Sequence, residues 1–356
     1  MSDEQEVNPP EITKDEDEDE DFVPLFIPEW DTNEVNKIND VLNSENLVEA
    51  AKVGEFEDKF AAYVKAEYCV MFPNFSSAMY CAMIVAREII STKNLRVPNF
   101  GGQEIYNIGI QSYFNPVLTE VNELGSLILR DNEGGITKHF NGRKGKASII
   151  EDCSDILNYH TPNKISVYNF DSKSLLTTGG QGGAICCDDV QTYEALLRVK
   201  NMGKNPLNEE EYYGDDTLMW GLNYEVTEMQ AAFGLAQLEK LDEKLERINV
   251  LDNILREAFI DHKRVKFLQG KPHKYLDILV PDAEKTQLDL AKKGIMTQRF
   301  PRPLHMQTYS SRSGRIDNDF TESEKLYETG LFITTIPSIS DDDFRKIIDQ
   351  IKSLEW

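Results

Sequence analysis

Cysteine, histidine and tryptophan are scarce in this chain of 356 residues, at five, five and three. The cysteines (Cys69, Cys81, Cys153, Cys186 and Cys187) are odd in number and lack metal or redox spacing. They read as buried free thiols, not as a disulfide framework. The histidines are scattered without an HxH or HExxH pattern, which leaves a metal site unsupported. No run of about 18 apolar residues occurs, and the amino-terminal stretch lacks a charged-then-apolar leader pattern, so a soluble cytoplasmic chain away from membranes is expected. Basic residues are short as well. Against 38 Lys and Arg stand 62 Asp and Glu, a formal charge of −24. Nucleic acid, which needs a basic footprint, is a poor partner for such a chain. Any phosphate it binds must be held by local backbone amides.

Residues 1–21, MSDEQEVNPPEITKDEDEDED, hold eleven acids and one lysine. This like-charge block is expected to be a disordered acidic tail. No internal repeat and no Pro/Gly/Ser linker divides the rest. In VGEFEDKFAAYVKAEY (53–68), Phe56, Phe60 and Tyr63 fall on one helical face. YCVMF (68–72) reads as a strand, and PNFSSAMYCAMIVAREII (73–90) as a polar turn opening an apolar helix that Asn74 or Ser76 could cap. Short apolar runs follow at 95–100, 115–121, 146–152, 165–170 and 182–189, separated by longer connections. This pattern predicts an α/β fold with a mainly parallel, helix-covered sheet. One long helix is expected over 235–260. A strand at 273–280 and helices at 320–330 and 341–356 suggest a smaller α+β unit. The expected division is a large domain over 22–250 and a small C-terminal domain over 251–356.

NFDSKSLLTTGGQGG (169–183) places one lysine, Lys173, in a polar turn before a run of glycines. A surface loop would explain it; so would a lysine beside a flat cofactor, with the glycines permitting close backbone approach. KASIIED (146–152) ends in Asp152, 21 residues earlier, where parallel strands deliver functional groups. Pyridoxal phosphate chemistry needs such a lysine to bond its aldehyde and such a carboxylate to keep its ring nitrogen protonated. It also needs a helix amino terminus for the phosphate, which PNFSSAM (73–79) supplies, although Asn74 and Ser76 are equally explained as plain helix caps.

The chain resembles the DegT-type sugar-nucleotide aminotransferases, which are fold type I enzymes dependent on pyridoxal 5′-phosphate. The likeness runs from about Phe26 to Lys352 through GEFEDKFAAYVKAEYCVMFPNFSSAM, IIEDCSDIL, NFDSKSLLTTGGQGGAI, WGLNYEVTEMQAAFGLAQLEKLDEKLERI and PLHMQTY. It implies that Lys173 bonds the cofactor and Asp152 pairs with the ring nitrogen. Asp155 would lie near the ring hydroxyl, while Asn74, Phe75 and Ser76 form the phosphate cup and Asn169 stands where a phosphate-binding Ser is usual. Asn223 would reach the phosphate or substrate from a second copy, making the active unit a homodimer. His305 would sit near the substrate mouth or serve as a structural loop histidine. The implied activity is transfer of an amino group from an amino-acid donor, glutamate, to a nucleotide-linked keto-deoxysugar. The alternatives are a sugar-nucleotide dehydratase, against which Lys173 counts because dehydrating relatives carry His there, and a catalytically inactive binding protein. Three departures stand out. The usual Ser-Gly-Thr cup is Asn74-Phe75-Ser76. Gly101-Gly102 replaces a ring-stacking aromatic, a role left to Phe100 or Phe75. The Phe170–Lys173 spacing is one residue short.

Overall fold

The computed structural model describes residues 22–44, 46–87, 92–128, 135–214, 216–217, 219–313, 315–316 and 319–355. The acidic tail expected over 1–21 lies outside them. Helices α1 (Thr32–Ser44) and α2 (Ala51–Val64) lead into strand β1 (Tyr68–Phe72) and helix α3 (Phe75–Ala86). Then come β2 (Asn94–Pro98), α4 (Gln103–Gln111), β3 (Asn115–Thr119), β4 (Ile136–Lys138), β5 (Ile150–Asp152), β6 (Ile165–Asn169) and β7 (Gly183–Cys187). Helices α5 (Val190–Lys200), α6 (Glu209–Tyr213), α7 (Glu228–Glu239) and α8 (Leu241–Ala258) follow. The chain closes with β8 (Leu276–Leu279), α9 (Ala283–Ala291), β9 (Gln298–Arg299), α10 (Thr308–Ser313), β10 (Arg315–Ile316), α11 (Thr321–Thr329), β11 (Gly330–Ile333) and α12 (Asp341–Lys352).

The central sheet runs β1-β7-β6-β5-β4, with β7 antiparallel to both neighbours and β4, β5 and β6 mutually parallel. A parallel bridge from Arg96 to Gly135 links it to the parallel set β10-β3-β2. The mainly parallel sheet expected from sequence is therefore present. Its strands are buried on both faces, so they read as near-continuous apolar runs. The helix α3 is buried almost all round, which matches its unbroken apolar composition. The last part of the chain forms an antiparallel sheet, β8-β11-β9. The segment just after the tail joins this part: Val23 bridges Ile295, and the Leu25 carbonyl accepts from the Thr335 N–H at 2.8 Å. Among the described residues, no helix is long and apolar enough to cross a membrane.

The single helix expected over 235–260 is two. The chain kinks at Lys240 (φ −107°, ψ −2°), whose ammonium reaches Asp31 at 2.7 Å and Glu34 at 2.9 Å beside α1. Leu235, Leu241, Leu245 and Ile248 stay buried across the kink, which is why the apolar periodicity concealed it. The boundary expected between 250 and 251 falls inside α8.

Glu57 ties α2 to the central sheet by accepting the Met71 N–H at 2.7 Å. Burial raises its carboxyl pKa to about 7, against the pull of Lys200 4.0 Å away. The unfolded chain releases this proton near the ordinary value of 4.5. Between these values the folded chain binds more protons than the unfolded one, so stability falls as pH rises from 4.5 to 7. Glu57 should contribute a slope of at most about 1.4 kcal/mol per pH unit. Urea midpoints across this window should lose that slope in Glu57→Gln; an unchanged curve contradicts the assignment.

Candidate active site

Strands β4 and β5 end side by side, with Lys138 in register with Asp152. The Asp152 side chain is 3% exposed. Its Oδ1 accepts the Ser154 N–H at 2.9 Å, and its Oδ2 accepts the Lys138 ammonium at 3.2 Å. Lys138 Nζ also donates to Ser154 Oγ at 2.8 Å and lies 3.4 Å from Asp155 Oδ2. Asp155 in turn faces Lys274 at 3.6 Å and accepts the Asn141 N–H at 3.2 Å. Two lysines and two aspartates thus share one largely buried cluster and balance in charge. Burial by itself depresses the Lys138 pKa, but Asp152 and Asp155 outweigh it and hold the ammonium well above the ordinary lysine value. Burial likewise raises Asp155, and Lys138, Lys274 and the Asn141 N–H overcome it to leave the carboxyl below its ordinary value. The Lys138 stem runs along Gly101 (φ +71°), where a Cβ would sit 3.5 Å from the lysine Cε.

The amino terminus of α3 opens onto the same strand ends. Asn74 is its cap, with Oδ1 accepting the Ser77 N–H at 2.8 Å. The N–H groups of the first turn have no partner within the helix. Gly183 of β7 packs directly under the cap; a Cβ there would fall 2.8 Å from the Asn74 carbonyl oxygen. Phe75 is buried, and the Ser76 hydroxyl is bound to the Glu104 carboxylate of α4. Solvent reaches part of Glu104, yet desolvation of its carboxyl by the surrounding protein raises its pKa. The Ser76 hydroxyl opposes that rise, and Asp152 and Asp171 add to it. An acid therefore stands at the place where an anion would be received.

The loop after β6 is organised by Asp171. Asn169 Nδ2 donates to Asp171 Oδ2 at 2.8 Å, and Asp171 Oδ1 accepts the Lys173 N–H at 2.8 Å. Lys173 is exposed, and its ammonium has no partner among the described residues. The next residue, Ser174, is buried with its Oγ unpartnered. Asn223 is exposed, its Oδ1 accepting the Glu225 N–H at 3.1 Å. Both ring nitrogens of His305 are engaged within the protein, by Asn99 and by Glu324 at 2.9 Å each, and its ring stacks on Phe320. Phe100 is fully buried against Phe140 and Phe300, and Phe75 is buried in the core around α3. Apolar packing thus claims both rings suggested as stacking partners.

The structure joins Asp152 and Asp155 and sets the Lys138 ammonium against Asp152, on the carboxylate expected to meet a ring nitrogen. Lys138, Lys274 and Glu104 escaped the sequence reading. A signal existed for Lys138: a lone lysine in ITKHF (136–140), at the end of a short strand parallel to the one bearing Asp152.

The sequence model of the DegT/DnrJ/EryC1/StrS aminotransferase family matches residues 28–101 and 144–352. The GDP-perosamine synthase of Vibrio cholerae is 23% identical over 374 residues, covering 93% of this chain and 99% of that protein. A UDP-4-amino-4,6-dideoxy-N-acetyl-β-L-altrosamine transaminase of Campylobacter jejuni is 22% identical, covering 91% and 95%. The solved structure of Helicobacter pylori PseC, an aminotransferase involved in the biosynthesis of pseudoaminic acid, matches with a TM-score of 0.84 at 17% identity, covering 93% and 98%. The fold is that of fold type I transferases, and the matched family depends on pyridoxal phosphate. Residues 102–143, between the matched stretches, carry both Glu104 and Lys138.

The donor set fits that cofactor at two points. Asp152 already receives a cationic N–H, the kind of partner a protonated ring nitrogen offers, with Lys138 as the stand-in. The start of α3 offers free N–H groups to a phosphate. Glu104 opposes that second contact. Glu104→Gln keeps an oxygen for the Ser76 hydroxyl and removes the charge, so inorganic phosphate should bind about fivefold or more tightly in calorimetry. Equal affinity in the two proteins contradicts this role for Glu104.

Proposed function

Since the chain belongs to the DegT/DnrJ/EryC1/StrS aminotransferase family, we propose that it moves an amino group from glutamate to a nucleotide-linked keto-deoxysugar. Relatives named as aminotransferases and transaminases support the enzymatic role. The observation that carries the reading is the buried Asp152 carboxylate at the end of β5, held by the Ser154 N–H. Pyridoxal phosphate, when bound, supplies the electron sink and carries the amino group between donor and acceptor.

The chain's residues would do the rest. Asp152 would hold a proton at the ring nitrogen. Asp155, fixed by Lys274 and the Asn141 N–H, would face the ring's edge. The Phe75 and Ser76 N–H groups, oriented by the Asn74 cap, would bind the phosphate, with Asn169 beside them. Lys173 is assigned to bond the aldehyde and to move the proton from the donor's α-carbon; its ammonium has no partner among the described residues. Asn223, on the surface, would complete the site of a second copy in a homodimer. The engaged ring nitrogens of His305 favour a structural place for it.

A second reading is a binding protein of the same fold without catalysis. Lys138 on Asp152 and the outward Lys173 favour it. One assay separates the two. The protein is incubated with pyridoxal phosphate, glutamate and a panel of GDP- and UDP-linked 4-keto-6-deoxysugars, and 2-oxoglutarate is measured. Turnover with at least one sugar, reduced about a thousandfold or more in Lys173→Ala, is expected for the aminotransferase. No 2-oxoglutarate with any sugar contradicts it.

A further inference from the structure

We infer that Lys138 is a resident cation of the pocket, holding the Asp152 carboxylate and competing for it with the ring nitrogen of any pyridine ligand. This rests on the reading of Asp152 as the ring-nitrogen partner. Four observations lead to it.

The first is placement. Lys138 ends β4 directly beside Asp152, at the C-terminal strand ends where parallel sheets bind ligands. The second is saturation. The three donors of the ammonium face Asp152 Oδ2, Ser154 Oγ and Asp155 Oδ2 at 3.2, 2.8 and 3.4 Å, and Ser154 N–H takes the other Asp152 oxygen. The third is charge. Lys138 and Lys274 already balance Asp152 and Asp155, so a protonated ring nitrogen would enter as a third cation. The fourth is room. Gly101 leaves its side of the pocket to the lysine stem, and any larger side chain there would begin in contact with Lys138 Cε.

Displacement need not strand the ammonium. Asp155 and Ser154 remain within reach, so Lys138 can give up one acceptor and keep two. The lysine thus sets a threshold. A cationic pyridine anchored by a phosphate can exchange for it, whereas a ring without the phosphate gains too little.

The probe that isolates this competition is 4-deoxypyridoxine 5′-phosphate. It carries the ring nitrogen and the phosphate but has no aldehyde, so neither Lys173 nor amine transfer enters the measurement. Calorimetric titration of the full chain should give binding at least tenfold tighter for Lys138→Met than for the wild type. Lys138→Arg should stay within about twofold of the wild type, because the cation remains. Adding Asp152→Asn to Lys138→Met should abolish the gain. If circular dichroism shows the Met variant unfolded, Lys138→Gln, which keeps length and a donor, is expected to bind at least fivefold tighter. Affinities within twofold of the wild type in the folded uncharged variant overturn the inference, whether or not the wild type binds. A gain that survives Asp152→Asn overturns it as well. The Lys138 effect without any 2-oxoglutarate production leaves this inference standing and removes the aminotransferase reading; turnover without the Lys138 effect does the reverse.

Discussion

Two carboxylates and two ammonium groups, buried together where β4 and β5 end, are the constraint around which this molecule is arranged. Their charges are tolerable inside a protein only because each has an opposite partner within about hydrogen-bonding reach and further polar groups to complete it. Breaking one member out of such a set typically costs several kcal/mol, since a bare charge is left behind. The parallel pairing of β4 with β5 makes the set possible. It delivers Lys138 and Asp152 to the same end of the sheet at the same height, with Ser154 and Asp155 on the turn that follows.

The surrounding elements supply the rest of the pocket. Helix α3 brings its amino terminus to the strand ends because its body is apolar enough to be buried on every side, and the Gly183 close approach lets β7 lie directly under the Asn74 cap. In a strongly acidic protein, this local field of backbone N–H groups is what an anion can use. The Glu104 carboxylate tempers it. Both Glu104 and Lys138 fall in the stretch that the family model leaves unmatched.

The frame was legible in the sequence because short apolar runs bounded by turn residues can be little else in a chain of this kind. YCVMF, ISVYNF and GGAICCDD became β1, β6 and β7 with ends shifted by two residues at most. The break between α7 and α8 was not legible: Leu241 and Leu245 continue the apolar face past Lys240, and the Asp31 and Glu34 carboxylates that Lys240 reaches lie some two hundred residues away. The same limit governs the site. Asp152 could be found from its strand end, and Lys173 from its glycines, but that Lys138 lies beside Asp152 depends on strand order, which neither stretch encodes. In this loop the Asp171 side chain ties the turn, with Lys173 exposed and Ser174 buried.

A crystal structure of the protein soaked with pyridoxal 5′-phosphate tests the account most directly. Ring density beside Asp152 with the Lys138 ammonium moved off its Oδ2 is the result the account requires. A ring nitrogen bonded to Asp152 while Lys138 keeps its place there would contradict it.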